Sequence, residues 1–211
     1  MLARVDRGRL VMIPFAVAVL LLDVSEMPRH TAGGSITVLR WLGIAGSAAY
    51  YTLLIWSYLR RRPPVAVSGS RTGNACAVVG TIIPFVFPLL NGTQPGPGRQ
   101  LAADSLVAAG LAWSVWAIRF LGPNFSVLPQ ARGVASRGPY RWLRHPLYAG
   151  EIVAALGLAV AAWSPAAAGL WAALCALQAY RAVREEQVLL LAVPGYRAYR
   201  ARTAALLPGI F

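Results

Sequence analysis

Lysine is absent from this chain and acidic residues are scarce: all 20 basic residues are arginine, against seven Asp and Glu. With 57% hydrophobic residues and a mean hydropathy of +0.56, this composition excludes most soluble globular classes. The net charge of +13 does not indicate nucleic-acid binding, because the arginines cluster in short segments between apolar runs. The composition therefore predicts an integral membrane protein.

Cysteine and histidine are equally scarce, with two of each in the chain. Cys76 and Cys175 lie far apart inside apolar runs, without a histidine nearby, which is typical of neither a zinc site nor a disulfide framework. His30 and His145 are too few and too distant to suggest a metal centre. We therefore expect no metal and interpret the cysteines as small buried apolar residues.

Long apolar runs dominate what remains, and they predict an all-α polytopic membrane protein with about five or six transmembrane helices. The first run, Leu10–Leu22, is interpreted as a membrane helix rather than a signal peptide, since no cleavage pattern follows it. A polar turn at Asp23–Gly34 and a loop at Asn91–Arg99 are expected on the outer side. The other predicted spans are Val38–Leu59, a proline-kinked Asn74–Leu90, Leu101–Leu121, and a helical hairpin made of Leu147–Trp163 and Ala166–Tyr180.

The arginines predict the orientation of these helices. Only Arg29, Arg40 and Arg99 fall in segments assigned to the outer face, and the other 17 fall on the inner face. The positive-inside rule then predicts that both termini are cytoplasmic. Arginine without lysine is typical of a GC-rich bacterial genome, so a bacterial inner membrane is expected. We divide the chain into an N-terminal unit of four spans, 1–121, and a C-terminal catalytic region, 122–211, that contains the hairpin 147–180.

One dense polar stretch interrupts the apolar runs: Arg137–Glu151, RGPYRWLRHPLYAGE. A helix that begins at Pro146 would place free backbone N–H groups just after His145, where they favour a carboxylate or another anion. Arg144 would add donors beside them. An alternative is that the arginines of this stretch only anchor a helix end at lipid headgroups.

Aromatic residues and a glycine in the same stretch suit a nucleoside or a sulfonium. Tyr140 and Tyr148 offer flat faces for adenine or for a cation. Gly150 would allow the backbone or a ligand to approach closely.

A second polar stretch follows at 181–202. Glu185 can pair with Arg181 four residues earlier, whereas Glu186 is rotated by about 100° and can face inward, towards ribose hydroxyls or a positive ligand. Tyr196, Tyr199 and Arg202 recur every three residues and would share a helical face. The alternative is an amphipathic helix at the membrane interface with an aromatic belt.

Together the segments GPYRWLRHPLYAG and EEQVLLLAVPGYRAYRARTAALLP resemble the isoprenylcysteine carboxyl methyltransferase family and its phospholipid-methyltransferase relatives, over residues 121–211. The resemblance implies an integral membrane enzyme that uses S-adenosylmethionine in a cytosolic pocket. One departure is Val134-Ala135-Ser136-Arg137 before Gly138, where the family has Leu-Val-Thr.

The resemblance also implies roles for individual residues. His145, Pro146 and Tyr148 would hold the methionine and sulfonium end of the cofactor. The loop from Val134 through Gly138 to Tyr140 would line the adenosine. Further cofactor contacts are expected from Gly150, Glu185 and Glu186. The expected catalytic residues are Arg144, Glu186 and Arg202, with the two arginines at the reacting end of the substrate. Tyr196 and Tyr199 are expected to contact the substrate.

The expected reaction is methyl transfer to a lipophilic acceptor, an isoprenoid or lipid-like carboxylate or amine. A carboxylate acceptor needs no base, whereas an amine must lose a proton, to Glu186 or a tyrosine. An NADPH-dependent membrane enone or sterol reductase is the alternative enzyme, although the paired glutamates would repel its phosphates. A non-catalytic lipid-binding protein is the third hypothesis.

Overall fold

The computed structural model describes residues 7–31, 38–90 and 94–206. Within them, the chain is helical throughout except for connecting segments and a two-stranded ribbon, which confirms the all-α prediction. Five helical segments are long and apolar enough to cross a membrane by length and composition. These segments begin at Gly8, Val38, Arg71, Pro97 and Pro165.

The first two helices form an antiparallel pair. Helix α1 spans Arg7–Thr31 and α2 spans Val38–Arg60. The prediction of a turn from Asp23 is wrong as far as Thr31, because α1 continues there; residues 32–34 of that predicted turn lie outside the described part of the chain. The helix tolerates Asp23 because its carboxylate accepts a 2.6 Å hydrogen bond from the Ser47 hydroxyl of α2.

The third span changes its winding part-way, as its prolines predict. Helix α3, Arg71–Ile82, begins after Ser70, whose hydroxyl accepts from the Gly73 N–H. It continues as a 3-10 helix, Ile83–Leu89, which contains Pro84 and Pro88. Proline cannot donate to the helical ladder, so the α-helix gives way at this point. The outer loop predicted from Asn91 begins in residues 91–93, which lie outside the described part of the chain.

Helices α4, Pro97–Leu121, and α5, Pro146–Ala162, pack closely through glycines. A Cβ at Gly150 would lie 2.3 Å from Ser114 Oγ, and one at Gly110 would lie 2.4 Å from the Ala154 backbone nitrogen. Only glycine permits this approach. The contact fixes the beginning of α5 against α4.

The predicted hairpin is present, and its second arm extends beyond the predicted apolar run Ala166–Tyr180. Helix α6 spans Pro165–Ala192, so it includes the glutamates, as the helical interpretation of Arg181–Glu186 predicted, and it is capped by the Ser164 side chain. It continues because Arg181, Glu185 and Glu186 all find partners on other segments. At 1.5 Å per residue, α5 is about 25 Å long and α6 about 42 Å, so α6 extends beyond its partner.

Two long connecting segments, 61–70 and 122–145, and the segment 195–206 after α6 gather at one end of the bundle, which we call the loop face. Strands β1, Ala66–Val67, and β2, Gln130–Ala131, pair antiparallel there. Short helices lie at Gly122–Asn124, Gly138–Arg141 and, as α7, Tyr196–Arg200. The chain after α7 pairs with the segment before α5 through a parallel bridge between Leu143 and Ala204.

Candidate active site

The centre of the loop face is an ion cluster around Glu186. Its carboxylate lies 2.6 Å from Arg144 Nε, 3.0 Å from Arg200 Nε and 3.2 Å from His145 Nε2. The side chains of Glu186, Arg144 and His145 are each at least nine-tenths buried. Arg144 Nη1 also donates to the carbonyls of Arg200 and Thr203. The cluster therefore ties α6, α7 and the start of α5 together.

The segment that follows α7 reinforces this junction with backbone hydrogen bonds. The N–H groups of Arg144 and His145 donate to the carbonyls of Ala204 and Ala205 at 2.7 and 3.0 Å. In return, the Ala204 N–H donates to the Trp142 carbonyl at 3.1 Å. The polar stretch and the tail are thus joined by backbone hydrogen bonds at the loop face.

Glu185, the neighbour of Glu186, faces a different direction. One of its oxygens accepts a hydrogen bond from the Tyr148 hydroxyl, and the other lies 3.8 Å from His145 Nδ1. The rings of His145 and Tyr148 are stacked, with centroids 5.6 Å apart and planes 3° apart. Glu185, Tyr148 and His145 all line a cavity of about 480 Å³.

This cavity joins the loop face to the interior of the helix bundle. At the loop face it is lined by Val134 and Tyr140, and by Tyr196 and Tyr199 of α7. Deeper inside, apolar side chains contributed by α1, α2, α4 and the 3-10 continuation of α3 form its wall; they include Phe15, Ile44, Phe85, Val107 and Leu111. A volume in this range is typical of sites for small ligands.

Three tyrosines at the loop face keep their protons. Burial raises the pKa of Tyr140 well above its usual value, and the nearby Glu185 carboxylate raises it further. Burial likewise raises the pKa of Tyr196, and it raises that of Tyr199 to about 12. The Tyr199 hydroxyl can therefore donate its 2.6 Å hydrogen bond to the Tyr140 carbonyl. This bond holds α7 against the loop that precedes α5.

The structure brings together most of the residues that the sequence singled out. Those that line the cavity are Val134, Tyr140, Arg144, His145, Tyr148, Glu185, Tyr196 and Tyr199. Gly138 instead lies against the Phe120 ring at a φ of +59°, where glycine is favoured. Pro146 is buried, and its carbonyl accepts from the Trp113 indole N–H.

The remaining predicted residues lie away from the cavity wall. Gly150 packs against α4, and Glu186 is enclosed by its ionic partners. Arg202 is exposed beyond the end of α7, and its Nε donates to the Ala198 carbonyl. The predicted Arg181–Glu185 hydrogen-bonded pair along α6 is not formed. Arg181 instead donates to Gln178 Oε1 and to the Val127 carbonyl.

Sequence reasoning missed a polar network deeper in the cavity. Glu151 accepts hydrogen bonds from the Tyr50 hydroxyl at 2.8 Å and from Gln178 Nε2 at 2.7 Å. Arg181, 4% exposed, joins the same Gln178 and places its guanidinium 4.6 Å from the Tyr148 ring centre. A polar residue inside an apolar run is the available signal, and Tyr50, Glu151 and Gln178 each show it.

Residues 99–192 match the family model described as phospholipid methyltransferase. This region is phospholipid-methyltransferase-like. It covers slightly less than half of the chain and contains α5, all of α6 and both glutamates of the site. The match confirms the resemblance inferred from the two polar segments as far as residue 192, and it supports a methyltransferase function for this membrane protein.

A solved structure of the eukaryotic intramembrane Ras methyltransferase, isoprenylcysteine carboxyl methyltransferase, is also similar to this chain. The two share 17% sequence identity, the match covers 99% of each chain, and the TM-score is 0.46. None of the curated proteins matches the sequence significantly. Among the described residues of this methyltransferase-like chain, no group of three or more His, Cys, Asp or Glu side chains is arranged to hold a metal ion.

Proposed function

We propose that this protein transfers a methyl group from S-adenosylmethionine to a lipophilic acceptor, at the face of the membrane where the loops gather. The observation that carries this proposal is the continuity of one cavity between Glu185, Tyr148 and His145 at the loop face and an apolar interior. A polar cofactor and a lipophilic molecule would then meet inside a single enclosure.

Unpartnered polar atoms of two cavity-lining residues fit the cofactor. Asn124 Oδ1 is buried without a hydrogen-bond partner, lines the cavity, and lies where a Cβ at Gly133 would come within 2.9 Å of it. It would accept a hydrogen bond from an adenine amino group or a ribose hydroxyl. Arg181 Nε is likewise buried without a hydrogen-bond partner, and it would donate a hydrogen bond to the carboxylate of the methionine moiety.

The other cofactor contacts would come from α5 and α6. Helix α5 has no side-chain cap, so the N–H groups of its first turn, at the cavity residues Leu147 and Tyr148, favour an anion. Glu185 offers a negative charge to a sulfonium, whereas the Tyr148 ring is already stacked on His145 and has the Arg181 guanidinium 4.6 Å from its centre. The cofactor supplies an electrophilic methyl group on sulfur, and the protein aligns the acceptor and excludes water.

The contacts of the arginines favour an amine acceptor over a carboxylate. Arg144 lines the cavity, but its Nε is held by Glu186 and its Nη1 by two carbonyls, so a bidentate contact with a substrate carboxylate would compete with one of these bonds. Arg202 lies outside the cavity wall. By contrast, Glu151 and Glu185 both face the cavity. Glu185, rather than Glu186, is then the group placed to take the proton that leaves the nitrogen.

Cofactor binding to detergent-purified protein tests the proposal. We expect S-adenosylmethionine and its demethylated product to bind with micromolar affinity in a calorimetric titration, and NADPH not to bind. Asn124→Ala should weaken the binding of both sulfur compounds, because it removes the unpaired acceptor, whereas Asn74→Ala on α3, outside the cavity wall, should not. Binding of NADPH alone would establish the reductase hypothesis instead.

A further inference from the structure

The cavity has a second polar site far from the loop face. Asp23 and Ser47 both line the cavity wall and are joined by a 2.6 Å hydrogen bond in which Asp23 Oδ2 is the acceptor. Asp23 stands in an apolar stretch of α1, Phe15–Val24, where it is the only charged residue. An ionisable group that faces a cavity within a membrane span is a candidate functional residue.

Helix geometry gives the depth of this pair. The α1 end of the loop face is fixed by Arg9, which donates to the Arg61 carbonyl. Ser47 lies 13 residues before the end of α2, or about 20 Å from the loop face at 1.5 Å per residue. Glu151 lies five residues after the start of α5, or about 7 Å from that face. The two sites are thus separated by about 12 Å along the bundle.

Apolar side chains surround the Asp23–Ser47 pair. Ile44 lies one turn from Ser47 on α2, and Val107 and Leu111 pack on α2 at Gly43 and Gly46. Tyr50 and Tyr51 line the cavity between this pair and Glu151. A ligand that extends from the loop face therefore passes the two tyrosine side chains and then meets Asp23 and Ser47 within an apolar wall. An acceptor with a purely hydrocarbon tail would leave the Asp23 carboxylate facing methylene groups, which is costly.

We propose that Asp23 and Ser47 form a recognition subsite for a hydrogen-bond-donating group, a hydroxyl or an amine, at the end of the acceptor remote from the methylated atom. Asp23 Oδ1 accepts from this group while Ser47 orients the carboxylate through Oδ2. The acceptor is then an amphiphile that is polar at both ends. This inference rests on the proposed function only in naming the ligand as the methyl acceptor.

Ligand binding without turnover tests the subsite separately from catalysis. The probes are linear amino alcohols of graded length, each matched with the alkylamine that lacks the hydroxyl. Their polar ends span from roughly 12 Å, the separation of Ser47 from Glu151, to roughly 17 Å, its separation from Tyr148 beside Glu185. Binding is measured as the shift in melting temperature of the purified protein. We expect the best amino alcohol to bind about tenfold or more tightly than its alkylamine, since a hydrogen bond to a charged group is at stake.

Variants locate the effect. Asp23→Asn and Ser47→Ala should remove the preference for the hydroxyl while the alkylamine binds as before. Asp104→Asn, on α4 outside the cavity wall, and Ser25→Ala, whose hydroxyl bonds within α1, are matched controls and should keep the preference. Equal binding of both probe classes, binding of neither, or a preference that survives Asp23→Asn would each overturn the subsite. Cofactor titration gives an independent result for the methyltransferase itself.

Discussion

At the scale of single residues, the two adjacent glutamates of α6 have different surroundings and so should have different roles. Glu186 is enclosed by Arg144, Arg200 and His145, whereas Glu185 faces the cavity. Consecutive helical residues point about 100° apart, and here that rotation separates an ionic anchor from a ligand contact. The pair offers a direct comparison of stability with binding.

Glu186→Gln should lower stability. The neutral amide leaves the buried Arg144 guanidinium without its counter-charge, at a cost of roughly 3 kcal/mol. Arg200 is 48% exposed and adds little, because solvent screens it. Denaturation in mild detergent should show a clear fall in the unfolding midpoint. A variant as stable as the wild type would show that the ion cluster does not hold the loop face together.

Glu185→Gln should instead weaken cofactor binding while the unfolding midpoint changes little. It removes the carboxylate from the cavity and leaves the ion cluster intact. We expect the dissociation constant for S-adenosylmethionine to rise about tenfold, which corresponds to about 1.4 kcal/mol. Gln187→Ala, an exposed neighbour, is the control. Unchanged affinity in Glu185→Gln would remove this residue from the site.

The raised pKa of Tyr199 predicts that the folded protein loses stability at alkaline pH. Because its pKa is raised to about 12 in the folded protein, the folded state holds the proton more tightly than the unfolded state, whose pKa is about 10. The stabilisation is complete below about pH 10 and is lost as the pH rises through 12. Melting curves across this range should show a smaller alkaline loss in Tyr199→Phe. An identical loss would contradict the assignment.

At the scale of elements, the close packing of α4 on α5 positions the first turn of α5. Gly150→Ala should lower the melting temperature, because the added Cβ meets Ser114 Oγ and the α4 backbone within 3.0 Å. Gly169→Ala on α6 is the matched control: nothing lies within 4 Å of its added Cβ, and alanine favours a helix. Equal melting temperatures would show that α4 and α5 separate without cost.

The tail after α7 is the second element with a testable role. Ala204→Pro removes the N–H that donates to the Trp142 carbonyl and should weaken cofactor binding by loosening the segment before α5. Ala204→Gly retains the N–H and should bind the cofactor nearly as the wild type does. Calorimetric titration compares the two. Equal affinity in both variants would mean that the tail does not support the site.

The sequence predicted these elements well where a local signal was present. Pro146 marked the start of α5, and Pro84 and Pro88 marked the change of winding after α3. The glutamates of α6 were predicted to be helical, but their partners were missed, because these lie more than 30 positions away in sequence. The deep polar network was missed for the same reason, since Tyr50 and Glu151 meet only after α2 and α5 pack.

At the scale of the whole molecule, the bundle places its loop segments at one end and an apolar cavity behind them. The arginine distribution predicts that this end faces the cytoplasm, with both termini on that side. A fluorescent protein fused after Phe211 should therefore fluoresce in bacterial cells, and an alkaline phosphatase fused there should be inactive. The reverse result would place the cavity on the outer side of the membrane, where the cofactor is not supplied, and would contradict this orientation.

Methyl transfer into lipid-soluble material tests the central claim most directly. Purified protein is incubated with S-adenosylmethionine carrying a labelled methyl group and a lipid extract of bacterial membranes, and the label in the organic phase is counted. We predict that wild type and Asp104→Asn transfer label, and that Glu185→Gln transfers at least about tenfold less. Label that stays entirely in the aqueous phase with every protein would contradict the account of a membrane methyltransferase with a lipophilic acceptor.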